Sequence, residues 1–310
     1  MNICIACNKP YLLLTKTMLR SLAENNKSAK NGITVYCLNS DMRPNEVKEF
    51  EAWCVSIGLR LKYIFIDRKV FPENINFSIC KISSIVTYYR LLVPFLIPKN
   101  VDRILYLDSD MIIKGNIEDL YEVDFNDNLI VAAPDICCYD EYKKVNYRIG
   151  LSQNHIYFNA GMLLMNLSAF RKEYSINDVF QCARSIQNSM IYGDQDILNV
   201  LCCNKVKYVS LLKYNFQVRW HTRTANCDFL LKYDTRIIHY IDKRKPYYFL
   251  YANKLKKLFW KYAKKNRNYG RYVLFCIFNP ILTIAWEIYV KIKRLKNDYE
   301  IDYQKFKKIN

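Results

Sequence analysis

Through its first 110 residues the chain alternates short apolar runs with amphipathic stretches, and this alternation restricts the fold more than any other feature. Residues 3–6, 33–38, 61–66 and 104–107 have the length and composition of buried strands. Between them, residues 11–23, 44–57 and 83–95 carry helical spacing. The second of these opens on Pro44, in the first turn, where a helix does not need the missing N–H. Such β-α alternation predicts an α/β protein with a mostly parallel sheet covered by helices on both faces. Sheets of this kind bind ligands outside the carboxyl ends of their strands, where Cys7, Asn8 and residues 108–110 would gather.

The fourth run ends in Asp108-Ser109-Asp110. On an extended backbone the two carboxylates project to the same side. Two acids so placed can share one hard divalent cation, which takes oxygen ligands and would neutralise a departing diphosphate. A solvated turn with a helix cap is the plain alternative, and the buried run ahead of the acids favours the site.

Beyond Asp110 the pattern loosens. Residues 129–133 read as a strand ending at Pro134-Asp135, and the polar, Tyr-rich stretch 136–155 reads as a loop or lid. Tyr157-Phe158-Asn159-Ala160-Gly161 leads into an apolar run at 162–165. A helix is predicted at 176–187, and Gly193-Asp194-Gln195-Asp196 precedes residues 197–201 with acids suited to a helix N-terminus.

Hydrophobic content of 51% and aromatic content of 15% exclude a disordered chain, and 310 residues suffice for one large domain or two. The net charge of +18 is unevenly placed: residues 243–310 hold 18 Lys and Arg against 4 acids, leaving 29 basic and 25 acidic groups upstream. A nucleic-acid enzyme spreads basic groups around its groove, so no nucleic-acid partner is expected. Residues 254–271 mix Lys and Arg with large apolar side chains. Residues 272–290 are apolar but contain Asn279, Pro280 and Glu287, and 291–296 are basic again. The tail reads as an amphipathic segment lying on an anionic membrane surface. A helix packed on the domain is the alternative, and a true span fits poorly with the internal Pro and Glu. The 12 cysteines are expected to be reduced, because the N-terminus reads as a strand without a basic segment ahead of an apolar one. Cys4 and Cys7 read as core thiols, with no second pair or nearby His to complete a zinc or redox site.

Four segments in order, 104–110 (ILYLDSD), 157–166 (YFNAGMLLMN), 193–198 (GDQDIL) and 239–247 (HYIDKRKPY), resemble glycosyltransferase family 8 over roughly residues 1–250. The likeness is greatest to bacterial galactosyl- and glucosyltransferases that extend lipopolysaccharide and related surface glycans. This resemblance implies a GT-A fold with a Rossmann-like sheet as a catalytic domain at 1–250. A helical, basic membrane-association extension would follow at 251–310. It further implies a UDP-galactose or UDP-glucose donor, Mn2+ dependence (with Mg2+ second) and retention of anomeric configuration.

By position, the resemblance implies a metal set of Asp108, Asp110 and His239. Lys245, in Lys-Pro-Tyr, corresponds to a lysine on the diphosphate, and Arg90 to an arginine on the donor sugar and phosphate. Ser109 completes the donor-binding motif, Asn159 reaches sugar hydroxyls, and Asp194 and Gln195 stand as the catalytic pair beside the transferred sugar. A neutral amide is a poor nucleophile, which favours front-face attack over a covalent intermediate. Asn8 and Tyr11 would bond to and stack on the uracil. There are departures: many relatives carry Asp-Asp-Asn-Tyr where this chain has Asn8-Lys9-Pro10-Tyr11, and Asp242 replaces the usual Gly of His-x-x-Gly. The expectation is a retaining hexosyltransferase acting on a glycan or glycolipid acceptor, peripheral on the inner face of a bacterial plasma membrane. A nucleotide-sugar-binding module without turnover, and a metal-dependent nuclease or phosphotransferase, are the competing classes.

Overall fold

The computed structural model describes residues 1–29, 32–75, 84–136, 142–219, 234–241, 245–247, 251, 253–266 and 270. Its strands are β1 (Asn2–Ala6), β2 (Ile33–Asn39), β3 (Leu59–Phe65), β4 (Arg103–Leu107), β5 (Met111–Ile113), β6 (Ile130–Pro134), β7 (Phe158–Asn166), β8 (Val206–Tyr208), β9 (Phe216–Val218) and β10 (Ile237–Tyr240). Its helices are α1 (Leu12–Asn25), α2 (Pro44–Ser56), α3 (Val93–Leu96), α4 (Glu118–Tyr121), α5 (Tyr142–Arg148), α6 (Leu167–Glu173), α7 (Ile176–Ile186), α8 (Asp194–Leu201), α9 (Leu211–Tyr214) and α10 (Lys256–Ala263).

The main sheet runs β3-β2-β1-β4-β7-β6-β8. β1 to β4 are mutually parallel, as the alternation predicts; β7 is antiparallel to both β4 and β6, and β8 is parallel to β6. Side chains alternate across this sheet with period two. Ile3, Ile5, Leu105 and Leu107 enter one apolar cluster, while Cys4, Ile104 and Tyr106 enter the cluster on the other face. Both faces are therefore covered there, which accounts for the continuous apolar runs in β1 and β4. A second sheet, β5-β10-β9, stands at the carboxyl edge of the first and brings a late part of the chain to the end of β4.

Two stretches differ from the sequence reading. Residues 83–95, predicted as one helix, instead form a 3-10 helix at Ile85–Leu92 that runs into the single turn of α3. The β-branched Ile85-Val86-Thr87 start disfavours α winding, and the tighter turns carry Arg90 inward to 5% exposure. The predicted loop at 136–155 contains α5, pinned by Val145 and Ile149, which are buried four residues apart on one face.

Helix α10 packs on α1. Leu255, Phe259, Tyr262 and Ala263 join Leu14, Ile238 and Tyr240 in a third apolar cluster, and Asn25 donates to the Tyr262 hydroxyl at 2.9 Å. Among the described residues no helix is long and apolar enough to cross a membrane. The apolar run 272–290, the basic run 291–296 and Asp242 lie outside the described residues.

Candidate active site

β4 stops at Leu107, a turn spans Ser109 and Asp110, and the chain re-enters structure as β5 at Met111. The two carboxylates thus converge through a turn, and not by the extended-strand alternation that the sequence suggests. β10 pairs antiparallel with β5, setting His239 opposite Met111, and Tyr240 N–H donates to Asp110 O at 3.0 Å. His239 Nε2 lies 3.2 Å from Asp110 Oδ1 and 3.8 Å from Asp108 Oδ2. One ligand atom from each of Asp108, Asp110 and His239 falls within 4.8 Å of the others.

β7 supports the cluster from beside β4. Asp108 N–H donates to Gly161 O at 2.8 Å, so this glycine lies directly behind the acid and the imidazole. Asp110 Oδ1 is buried and accepts no hydrogen bond among the described residues. Two carboxylates, an imidazole and a buried oxygen in want of a partner are a donor set that fits Mn2+ or Mg2+.

Two buried cations flank the acids. Arg90 Nη2 holds Asp108 Oδ1 at 2.9 Å and Arg90 Nε holds Asp194 Oδ2 at 2.9 Å, while its Nη1 donates to Ala160 O. Burial works against the Arg90 charge, but Asp108 and Asp194 outweigh it and raise its pKa above the ordinary value. Lys245 Nζ lies 2.5 Å from Asp110 Oδ2 and 2.9 Å from Tyr240 O. The acids respond unequally. Burial pushes Asp108 up, opposed by Arg90 and reinforced by Asp110. Burial also acts on Asp110, but the Lys245 ammonium prevails and holds its carboxyl well below the usual range. A pair of neighbouring acids split in this way titrates as a unit.

α8 begins at the same place. Gly193 has φ +57°, a backbone that glycine adopts without strain, and it turns Asp194 inward to 2% exposure. Burial pushes the Asp194 carboxyl up to about 7 against the pull of Arg90, and its Oδ1 accepts no hydrogen bond among the described residues. Gln195 Oε1 accepts from Ala160 N–H at 2.9 Å and from Asn159 Nδ2 at 3.3 Å, and its Nε2 donates to Asp135 Oδ2 at 3.1 Å. Asp196 serves the backbone, its Oδ2 accepting the N–H groups of Ile191 and Tyr192 at 2.7 and 2.9 Å.

The fold therefore brings together Arg90, Asp108, Asp110, Asn159, Asp194, Gln195, His239 and Lys245. Ser109 differs: its hydroxyl lies 2.8 Å from Thr15 Oγ1, and Thr15 in turn donates to Tyr11 O at 3.0 Å. Its side chain ties the turn to α1 and does not join the acids. Asn8 caps the 3-10 turn Lys9–Tyr11 by accepting from Tyr11 N–H, and the Tyr11 ring is 42% exposed at the end of β1. Sequence reasoning missed Tyr106, whose hydroxyl donates to Asp108 Oδ1 at 3.1 Å, and also Asp135, Gly161 and Asn215. Asp135 had a signal, standing directly after a strand; Asn215 had none. Cys4 and Cys7 are buried thiols, as read from the sequence, with Cys7 Sγ 3.7 Å from Cys37 Sγ.

An α/β sheet that gathers two acids, an imidazole and two buried cationic side chains at its carboxyl edge has the make-up of a metal-assisted site for an anionic substrate. Residues 2–249 match the model of glycosyl transferase family 8, and the chain belongs to that family. Glycosyltransferase GlyF of Streptococcus pneumoniae is 27% identical over 271 residues, covering 84% of this chain and 61% of its own length. Lipopolysaccharide 1,3-galactosyltransferase of Salmonella typhimurium is 27% identical over 244 residues, 76% of this chain and 68% of its own. This chain spans about three fifths of the curated relatives it matches first. Among solved structures, the galactosyltransferase LgtC, in complex with donor and acceptor sugar analogs, aligns with a TM-score of 0.71 at 23% identity, over 86% of this chain and 97% of its own. That likeness establishes the fold, an α/β GT-A arrangement with a mostly parallel sheet.

Proposed function

We propose that the protein is a retaining hexosyltransferase that moves galactose or glucose from its UDP donor to a glycan or glycolipid acceptor. The observation that carries this reading is the convergence of Asp108, Asp110 and His239 with Arg90, Lys245, Asp194 and Gln195 in one site of a family 8 chain. The named activities of the Salmonella relative and of LgtC point to the same chemistry.

A divalent cation held by Asp108, Asp110 and His239 would supply Lewis-acid stabilisation to the diphosphate as it leaves. The Lys245 ammonium, buried beside Asp110, would add a second positive charge where the leaving group develops its own negative one. Arg90 couples the two ends of the donor, since one guanidinium grips both Asp108 and Asp194. Asp194 Oδ1, without a partner among the described residues, is a ready acceptor for a sugar hydroxyl, and a hydrogen bond there would fix the ring. Gln195 Oε1 already accepts from two N–H donors, which lowers its nucleophilicity further. That supports attack by the acceptor hydroxyl on the face the UDP leaves, its proton passing to a departing phosphate oxygen.

The outer side of α10 carries exposed Lys254, Lys257, Lys261 and Lys264, next to half-buried Trp260. Such a basic face, with the sequence that follows it, suits docking to anionic lipid at the inner face of a plasma membrane. The test of the activity is a donor screen in Mn2+, with released UDP and product anomer as readouts. UDP-galactose or UDP-glucose should turn over with retention, stop with chelator and resume with metal. No UDP release from any common UDP-hexose, in Mn2+ or Mg2+, would overturn the reading.

A further inference from the structure

Asn215 joins α9 to β9, is fully buried, and lies between the imidazole of His239 and the amide of Asn159. A side-chain amide can be turned either way, so its orientation must be read from what surrounds it. Here the surroundings are fixed by backbone. Gly161 N–H can only donate, and it meets Asn159 Oδ1 at 3.1 Å. Asn159 therefore presents Nδ2 to Asp135, whose Oδ2 accepts at 2.9 Å. Asn159 Oδ1 also meets the Asn215 amide at 3.0 Å, so the Asn215 atom there must be the donor, Nδ2. What remains facing His239 Nδ1, at 3.0 Å, is the Asn215 oxygen. Turning Asn215 over would set two oxygens against each other in a buried site.

We propose that Asn215 is a positioning residue that keeps the proton of His239 on Nδ1, so that the Nε2 lone pair faces Asp108 and Asp110. The proposal rests on the metal reading above and deepens it. A neutral imidazole carries one N–H and one lone pair, and only the lone-pair nitrogen can ligate. Donation runs from His239 Nδ1 to Asn215 Oδ1 and from Asn215 Nδ2 to Asn159 Oδ1, where the Gly161 N–H also ends and fixes the sense, with the Asp135 carboxylate holding the amides of Asn159 and Gln195 in register from the far side. The groups near the sugar and the metal ligand thus share one directed hydrogen-bond chain.

The test uses the full chain, free of metal and labelled with 15N-histidine, at pH 8.5. The sequence has only 3 histidines, so a His239→Gln control assigns the signal. His239 should show a protonated Nδ1 and an unprotonated Nε2. Asn215→Leu, similar in volume but without an acceptor, should lose that signature. It should also weaken Mn2+ binding, read by electron paramagnetic resonance, by about 10- to 100-fold. Asn215→Asp keeps an acceptor toward Nδ1 and should keep the tautomer, at a cost in melting temperature because its second oxygen replaces the amide donor to Asn159 Oδ1. A proton on Nε2 in the wild type, or an unchanged tautomer and affinity in Asn215→Leu, would overturn the proposal. If Asn215→Leu does not fold, Asn215→Asp decides: loss of the Nδ1 proton there overturns the proposal as well. The tautomer is read without metal, donor or turnover, so failure of the transferase reading would be seen separately, as absent UDP release.

Discussion

Gly161 and His239 approach so closely that a methyl group on Gly161 would come within 2.3 Å of His239 Cε1 and 2.8 Å of Asp108 Oδ2. Neither neighbour can yield cheaply. The ring is held by Asn215, and the carboxylate is held by Arg90 and Tyr106. Gly161 is thus required for space and not for backbone conformation. Gly161→Ala should displace the imidazole and lower Mn2+ affinity by at least about tenfold, in the range for groups that support a metal ligand. Calorimetric titration with Mn2+ checks this; wild-type affinity in a folded Gly161→Ala protein would refute the close fit.

Asp110 is the acid that the site holds most firmly ionised, chiefly through Lys245. Asp110→Asn keeps the shape and removes the charge. Turnover of the UDP-hexose should fall by more than about 100-fold, beyond the usual loss for a group that only supports a ligand. The melting transition should remain cooperative. Near-normal kcat in the variant would contradict the assignment of Asp110 to the metal.

Asp194 ties stability to pH. Burial lifts its folded pKa to about 7, whereas an unfolded Asp titrates near 3.9. Between those values the unfolded chain gives up this proton and the folded chain keeps it. The contribution of this group is complete below pH ~4 and is lost as pH rises through about 7. Asp194→Asn carries no such dependence. Its melting temperature relative to metal-free wild type should therefore climb from pH 5 to pH 8. A difference that stays flat across that range would show that Asp194 is not held protonated by its surroundings.

What the sequence revealed and what it hid follow from the range of the interactions involved. Strands β1 and β4 were legible as nearly continuous apolar runs, β2 and the edge strand β3 by their Ile, Val and Leu content despite Thr34, Arg60 and Lys62, and α2 because Pro44 marks its first turn. The apolar run within β7 announced burial but not direction, since antiparallel and parallel neighbours bury the same residues. Asp108 and Asp110 were visible at a strand end, yet the turn that joins them to β5 was not. Asn215 and Gly161 could not be found locally. Their roles arise from contacts with His239, which β10 delivers only once the small sheet has formed. Asp135 likewise gains its partners, Asn159 and Gln195, from elements far along the chain.

The C-terminal region separates into a part the fold needs and a part available to a membrane. Leu255, Phe259 and Tyr262 are buried against α1 and β10. At about 1.5–3 kcal/mol for each large apolar side chain, they contribute on the scale of a whole domain's net stability of about 5–15 kcal/mol. A chain ended at residue 253 should therefore lose its cooperative melt, whereas one ended at residue 266 should keep it. Lys254, Lys257, Lys261 and Lys264 point outward. Changing these four to Gln removes about 4 kcal/mol of attraction to an anionic surface at roughly 1 kcal/mol each, about a thousandfold in partitioning if all four face the lipid. Co-sedimentation with phosphatidylglycerol vesicles should fall steeply while the melting temperature stays put. Binding that survives the four changes would assign membrane attachment, if any, to residues beyond 266.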